Sequence, residues 1–251
     1  MLHPTTGVFR LFIPVALFLS VALFARADDN EWWRTCAVPD YTGEYEYRHE
    51  RATDARTQDD LRALYENPTV IRAYTESASE GGAAIETLTE THAVFPIRAE
   101  SILATLQDDD TLTTFVPNLG DHEVVCRFAD NHFRQRQRTD FGFLFLRFSS
   151  EYVIDVEYVD YGPGEYGSRW VLVESIDGQI AYNYGSWYFE EIMLDGRPAT
   201  YVRHYARTGL TTGFPGAQLV VGGRLEGEMR NLFRVFYEET VRRYGRVTLA
   251  E

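Results

Sequence analysis

The chain has 251 residues, 45% of them hydrophobic, and a formal net charge of −14 at neutral pH. So acidic a composition argues against a nucleic-acid partner, because phosphate recognition needs a net basic face. Every basic residue apart from histidine is arginine, as expected from either a high-GC genome or a saline environment, where a heavily charged surface keeps a protein in solution.

The first 27 residues predict a secretory signal peptide. Arg10 precedes an apolar run over residues 11–24, and an A-x-A cleavage site follows at residues 25–27. An uncleaved membrane anchor is the alternative, but the run is short for a spanning helix and contains Pro14. We therefore expect an exported chain, periplasmic or secreted, that begins at Asp28.

Cys36 and Cys126 are the only cysteines. In an exported chain they have one possible intramolecular pairing. A bridge between them would stabilise the fold by roughly 2 to 5 kcal/mol through its effect on the unfolded chain. The alternative is two separate buried thiols.

Residues 28–82 predict an N-terminal, mostly helical extension. Thr57 and Asp60 have the spacing of a capping box, and Asn67-Pro68 reads as the N-cap and first residue of a second helix. Gly81-Gly82 would end that helix. The sequence thus predicts two short helices before the main domain.

The pattern changes from residue 83 onward. The segment "AAIETLTETHAVF" is rich in threonine and β-branched residues and predicts a strand. Pro96 opens a predicted helix, and a second short helix is predicted over Leu112–Phe115. The apolar positions that share one face of the first helix are Ile97, Ile102, Leu103 and Leu106.

Five strand-like runs follow, from "HEVVCRFA" to "ATYVRHYARTGL", and the second run is long enough for two strands. Their separators are Asp-Asn, Gly-Pro-Gly and two Asp-Gly pairs, which is turn chemistry. The sequence therefore predicts an antiparallel meander.

A long helix is predicted to close the domain. Its apolar stripe comprises Leu225, Met229, Leu232, Phe233 and Phe236, and Gly245 suits its end. Three glycines in its first turns, Gly222, Gly223 and Gly227, each cost roughly 1 kcal/mol relative to alanine. Close approach of the sheet and room for a ligand are the two explanations.

This order of elements is similar to that of the START-like (helix-grip, SRPBCC) superfamily. The segments that carry the resemblance are "FPIRAESILATLQDDDTLTTFVPNLGDHEVV", "RWVLVESIDGQIAYNYGSWYF" and the helix after "FPG". The nearest branch is the polyketide cyclase/dehydrase and coenzyme Q-binding-like proteins. The resemblance implies an α+β fold in which a curved antiparallel sheet wraps a long C-terminal helix. The resemblance covers about residues 85–245, and we assign residues 83–246 to this domain and residues 247–251 to a tail.

The resemblance also implies an apolar ligand, such as a lipid, quinone, sterol or polyketide, between the sheet and the helix. Tyrosines on the inner face would offer it an apolar body and a hydroxyl, although the aromatic residues could instead fill a solid core. A register slip of one residue would exchange the faces. The predicted ligand contacts are Phe115, Trp170, Leu172, Tyr182, Tyr184, Trp187, His204, Leu225 and Met229.

Arg134, Arg136 and Arg138 share one face of a strand. They are expected to pair on a solvated outer face with neighbouring carboxylates such as Asp155 and Glu157. Recognition of an anionic head group or a membrane surface is the sharper alternative.

His204 is predicted to share the inward face with Thr200 and Val202, as a core histidine rather than a catalyst. The other candidate histidines, His92, His122 and His132, lack metal-ligand spacing. The aspartates at 108–110 lack the regular spacing of a calcium loop and predict a solvated turn. There is no G-x-S-x-G and no phosphate-binding loop, so we predict no catalytic residue, metal or cofactor.

The sequence thus predicts an exported, monomeric protein that binds or carries a hydrophobic small molecule, with transient membrane contact. One alternative is a cyclase or dehydratase in which His204, Tyr182 or Tyr184 positions a polyketide-like substrate and moves protons. Another is an envelope interaction module whose N-terminal extension plugs the cavity.

Overall fold

The computed structural model describes residues 32–36, 51–77, 83–143, 146–211 and 217–247. All of them belong to a unit that spans Glu31–Glu251. The predicted signal peptide, the Gly81-Gly82 helix end and residues 248–251 of the predicted tail lie outside the described residues.

The described residues contain an eight-stranded sheet in the order β1-β2-β8-β7-β6-β5-β4-β3, and every adjacent pair is antiparallel. Strands β3 to β8 follow one another as the predicted meander, with β2 and β1 added beside β8. The strands are β1 (Thr69–Ser77), β2 (Ile85–Phe95), β3 (Leu119–Ala129), β4 (His132–Phe143), β5 (Leu146–Gly162), β6 (Glu165–Ser175), β7 (Ile180–Leu194) and β8 (Arg197–Leu210).

The described helices are short except for the last one. They are α1 (Ala52–Ala55), α2 (Gln58–Ala63), α3 (Ala99–Leu106), α4 (Leu112–Phe115) and α5 (Ala217–Tyr244). A short 3₁₀ turn covers Trp32–Arg34. Helix α3 begins later than predicted, because the backbone of Arg98 is extended (φ −74°, ψ 142°). The curved sheet against one long C-terminal helix confirms the predicted α+β helix-grip architecture.

Helix α5 confirms the predicted apolar stripe. Met229, Phe233 and Phe236 are buried and pack against the sheet and the short helices. We call the sheet face that they cover the concave face, and the opposite face the convex face. Gly227 is exposed, and a Cβ placed there would meet no atom within 4 Å, so neither close approach nor room for a ligand explains this glycine. The surroundings of Gly222 and Gly223 are outside the description.

The predicted second helix of the extension is wrong, because Thr69–Ser77 forms strand β1 at the edge of the sheet. Glu66 has a positive φ of 49° and turns the chain, and its N–H donates to the Val94 carbonyl at 2.9 Å. The β-branched and aromatic residues that follow suit a strand, and pairing with β2 outweighs the local helix-start signal. Of the two predicted helices, the one that begins after Thr57 forms as α2, with the predicted capping box.

The described part of the extension packs on the convex face. Leu61 and Leu64 join a buried cluster with Val94, Tyr188 and Tyr201 of the sheet. These sheet residues alternate with those that face α5, so they point to the opposite side. Helices α1 and α2 therefore do not enter the space between the sheet and α5.

Residues 32–36 also lie on the convex side, where the predicted Cys36–Cys126 disulfide is formed with a Cα–Cα distance of 5.6 Å. The predicted arginine pairing holds for Arg134, whose guanidinium donates to Asp155 at 2.6 and 2.9 Å. It is not solvated, however, because the Trp32 and Phe128 rings lie 5.7 and 5.2 Å away and both partners are fully buried.

The other predicted pairs differ in partner. Arg136 pairs with Glu151 rather than with the residues named from the sequence, and Glu157 pairs with Arg169 through a 2.7 Å hydrogen bond. Arg138 lies 3.4 Å from Asp140 on the same strand. Carboxylates thus face the arginine stripe, which removes the basis for an anionic head-group site on this face.

Candidate functional site

An apolar cavity lies between the concave face, α3 and α5. Its lining comes from β2, the connection between β2 and α3, α3, β7, β8 and α5: Phe95, Ile97, Ile102, Leu106, Trp187, Phe189, Val202, Phe233, Phe236, Tyr237 and Thr240. The volume open to the centre of a water molecule is about 10 Å³, close to what one water needs. Side chains therefore nearly fill the space.

Trp187 is the centre of this lining. Its ring centroid lies 5.3 Å from that of Phe233 and 5.4 Å from that of Phe236, and 6.1 Å from that of Phe189. Trp187 and Phe189 share one face of β7, and the two phenylalanines are one turn apart on α5, so both periodicities bring their rings together. Such pairs stabilise beyond simple burial.

Trp170 extends the aromatic wall onto β6. Its ring lies against Gly185, the residue directly opposite on β7, where an added Cβ would be 2.2 Å from the indole. The indole N–H donates to Asn183 Oδ1 at 3.1 Å. Trp170 and its neighbour Leu172 are only half-buried, so this end of the concave face is partly open.

His204 lies between these two tryptophans. Its ring centroid is 4.4 Å from that of Trp187 and 5.5 Å from that of Trp170, and the residue is 6% exposed. Burial lowers the pKa of His204 to about 3, because an imidazolium would lose its hydration. The side chain is therefore a neutral hydrogen-bonding group on the concave face, beside Val202 as the alternation predicts.

Tyr182 and Tyr184 do not face the cavity. The Tyr182 ring covers Gly209 and its hydroxyl donates to Glu86, while Tyr184 accepts a 2.8 Å hydrogen bond from Arg207. These contacts lie on the convex face.

A register shift explains why the face assigned from the sequence is wrong for these two residues. It falls between Ile180 and Tyr182 in the pairing of β7 with β8. Ile180 packs with Tyr152 and Ile154 in the cluster that also contacts α3, so the shift moves the next tyrosines to the other side.

Two further predicted contacts, Phe115 and Met229, lie on the concave side. Phe115 packs edge-on against Phe236 at 5.2 Å, and Met229 is buried in the same cluster as Phe233. Leu225 is half-buried nearer the start of α5. Sequence reasoning missed Phe95 and Phe189, although Phe189 could have been found from its position two residues after Trp187.

A polar chain borders the β3–β5 end of the concave face. Tyr152 donates to Gln137 at 3.2 Å, Gln137 to Gln135 at 3.0 Å, and Gln135 to Asp109 at 3.2 Å. Burial raises the pKa of Asp109, and its neighbours His122 and Arg127 oppose that rise. Asp109 is thus held in the protein rather than in the solvated turn expected from the sequence.

Within the described ranges, there is no group of three or more histidine, cysteine or acidic side chains that could hold a metal ion. No helix among the described residues is long and apolar enough to cross a membrane.

No protein-family model matches this sequence, and no curated protein matches it either. Solved structures nevertheless share its fold. The STAR-related lipid transfer protein of Xanthomonas axonopodis has a TM-score of 0.52 and 10% identity, over 69% of this chain and 98% of that one. Human StAR-related lipid transfer protein 5 has a TM-score of 0.56 and 14% identity, over 70% of this chain and 86% of that one. The chain therefore has the START-like fold that its sequence predicts.

Proposed function

We propose that this protein binds a hydrophobic small molecule between the concave face of its sheet and α5. The supporting observation is the cavity, which aromatic rings from β7 and α5 line and which no charged side chain of the described residues borders. Apolar ligand surface buried there would contribute roughly 25 cal/mol per Å². Two proteins named for lipid transfer share the fold, which supports a hydrophobic ligand, and a lipid, quinone or polyketide-like compound is the class that we propose.

Ligand entry requires the cavity to widen. Pockets for small ligands usually measure about 300–1,000 Å³, far above the space between the side chains. The C-terminal end of α5 is fastened, because Thr240 donates to Thr105 at 3.0 Å and Arg243 donates to Thr111 at 2.6 Å. We infer that α5 tilts about its C-terminal end when the cavity widens. The side chain of Trp187 would move at the same time.

Titration with diphenylhexatriene, a neutral apolar fluorophore, tests the proposal. Phe236→Trp adds volume at the cavity wall and should weaken binding about tenfold, or about 1.4 kcal/mol, because the larger ring takes space that the ligand needs and overpacked sites are strained. Arg234→Trp adds the same ring to the exposed side of α5 and should leave the affinity unchanged. Absence of saturable binding to the wild type, or equal effects of both variants, would contradict the proposal.

The catalytic alternative gains no support from the site. Of the three polar groups that the cyclase hypothesis names, Tyr182 and Tyr184 contact Glu86 and Arg207 on the convex face, and only His204 lies on the concave face. The plug alternative is likewise unsupported by residues 32–36 and 51–64, which pack on the convex side.

Export of the protein, with removal of residues 1–27, remains part of the proposal. The Cys36–Cys126 disulfide supports it, because such bonds persist in oxidising compartments and are rare in the cytosol. Mass spectrometry of the protein secreted by its native host tests it, with an N-terminus at Asp28 as the expected result.

A further inference from the structure

Two buried polar groups beside the cavity have no hydrogen-bond partner within the described part of the chain. They are Nδ1 of His204 and Oγ1 of Thr91. The two residues are direct partners in the pairing of β2 with β8, so they stand side by side on one face of the sheet. Thr91 is 0% exposed and His204 only 6%. Unpaired buried polar atoms are costly and rare in native proteins, so their juxtaposition calls for a reason.

The pair adjoins the cavity. The next pair along the two strands on the same face is Ala93 with Val202, and Val202 lines the cavity. The ring of His204 also lies 6.4 Å from that of Phe233 on α5. A ligand that extends from the cavity along β8, from Val202 toward His204, would therefore pass these two polar atoms.

Their chemistry suits an uncharged partner. A neutral imidazole has one N–H donor and one acceptor, and a threonine hydroxyl both donates and accepts. The pKa of His204 is lowered by burial, which keeps the ring neutral. Arg203 and Arg207 of β8 point to the convex face, where they pair with Glu90 and Glu86. A charged ligand group beside His204 would thus lack these cations.

We propose that His204 and Thr91 form a subsite for a neutral oxygen group, a hydroxyl or carbonyl, of the bound hydrophobic molecule. The inference rests on the proposed function and narrows the chemical class of the ligand. The ligand is an uncharged oxygenated lipid-like compound rather than a plain hydrocarbon or a fatty-acid anion.

Displacement of diphenylhexatriene by three matched probes tests this subsite: decane, 1-decanol and decanoate. The wild type should prefer decanol to decane roughly tenfold, as one added hydrogen bond allows, with no such gain for decanoate. Thr91→Val and His204→Leu should each reduce that preference, and the double variant should abolish it while decane still binds. Thr87→Val is the control, because its hydroxyl already donates to the Thr208 carbonyl at 3.3 Å, and it should keep the preference.

Equal affinity of the wild type for decane and decanol, or an unchanged preference in the double variant, would overturn the subsite. So would tighter binding of decanoate than of decanol. Failure of decane itself to displace the fluorophore would instead count against the proposed function. Thr91→Val should melt no lower than the wild type, because valine replaces the unpaired hydroxyl with a methyl group of similar shape.

Discussion

Single residues decide how each face of the sheet is used. Gly185 lets the Trp170 ring lie flat on the concave face, because an added Cβ would meet both the indole and the Tyr205 carbonyl at 2.3 Å. His204 then lies between Trp170 and Trp187 and is only 6% exposed. On the convex face the buried group is charged instead of neutral, because Arg134 is buried together with its counter-ion Asp155.

The neutral His204 predicts a specific loss of stability in mild acid. Its pKa falls from 6.5 in the unfolded chain to about 3 in the fold, so between these values only the unfolded chain binds the proton. Stability therefore decreases as the pH falls below 6.5, by about 1.4 kcal/mol per pH unit at most. Urea unfolding at several pH values measures this effect. Between pH 7 and pH 5, the free energy of unfolding of His204→Leu should fall by about 2 kcal/mol less than that of the wild type. Parallel pH profiles for the two proteins would refute a buried, neutral histidine.

The Arg134–Asp155 pair predicts a strong asymmetry between single and double variants. Arg134→Met strands a buried carboxylate and should cost about 3–5 kcal/mol. Adding Asp155→Leu should restore much of that loss. Arg138→Met is the matched control, because Arg138 is 45% exposed and such pairs contribute at most about 1 kcal/mol. Similar unfolding midpoints for Arg134→Met and Arg138→Met would contradict the burial of the pair.

Among the elements, those specified by local sequence were predictable. The stripe on α5 and the Asp177-Gly178 turn, where Gly178 has a φ of 69°, follow from residues close in the chain. Strand β1 and the register shift after Ile180 were not, because both depend on pairing with strands distant in sequence. The burial of Arg134 could not be predicted either, because the groups that enclose it include the Trp33 carbonyl, 101 residues away.

The disulfide attaches one of these distant segments to the sheet and should stabilise the whole fold. It links residues 90 positions apart, so its loss frees the unfolded chain and should cost about 2–5 kcal/mol. Denaturation of the wild type with and without reductant measures this cost. The double variant Cys36→Ala/Cys126→Ala should match the reduced wild type and no longer respond to reductant. An unchanged midpoint on reduction would show that the segment at residues 32–36 holds without the bond.

At the scale of the whole molecule, the sheet separates two kinds of chemistry. The convex face carries the buried Arg134–Asp155 pair and the described N-terminal segments, whereas the concave face carries the aromatic cavity with Nδ1 of His204 and Oγ1 of Thr91 beside it. The sequence predicted this architecture and several concave residues, among them Trp187 and His204. It could not select the correct tyrosine face, because one bulge reverses the alternation after Ile180.

The most direct test of the account is native mass spectrometry of the chain purified from its native host and incubated with that host's total lipid extract. We expect the wild type to carry one uncharged, oxygenated apolar molecule and Phe236→Trp to carry much less of it. A wild type that stays free of any adduct, or an adduct equally abundant in Phe236→Trp, would contradict ligand binding at the concave face.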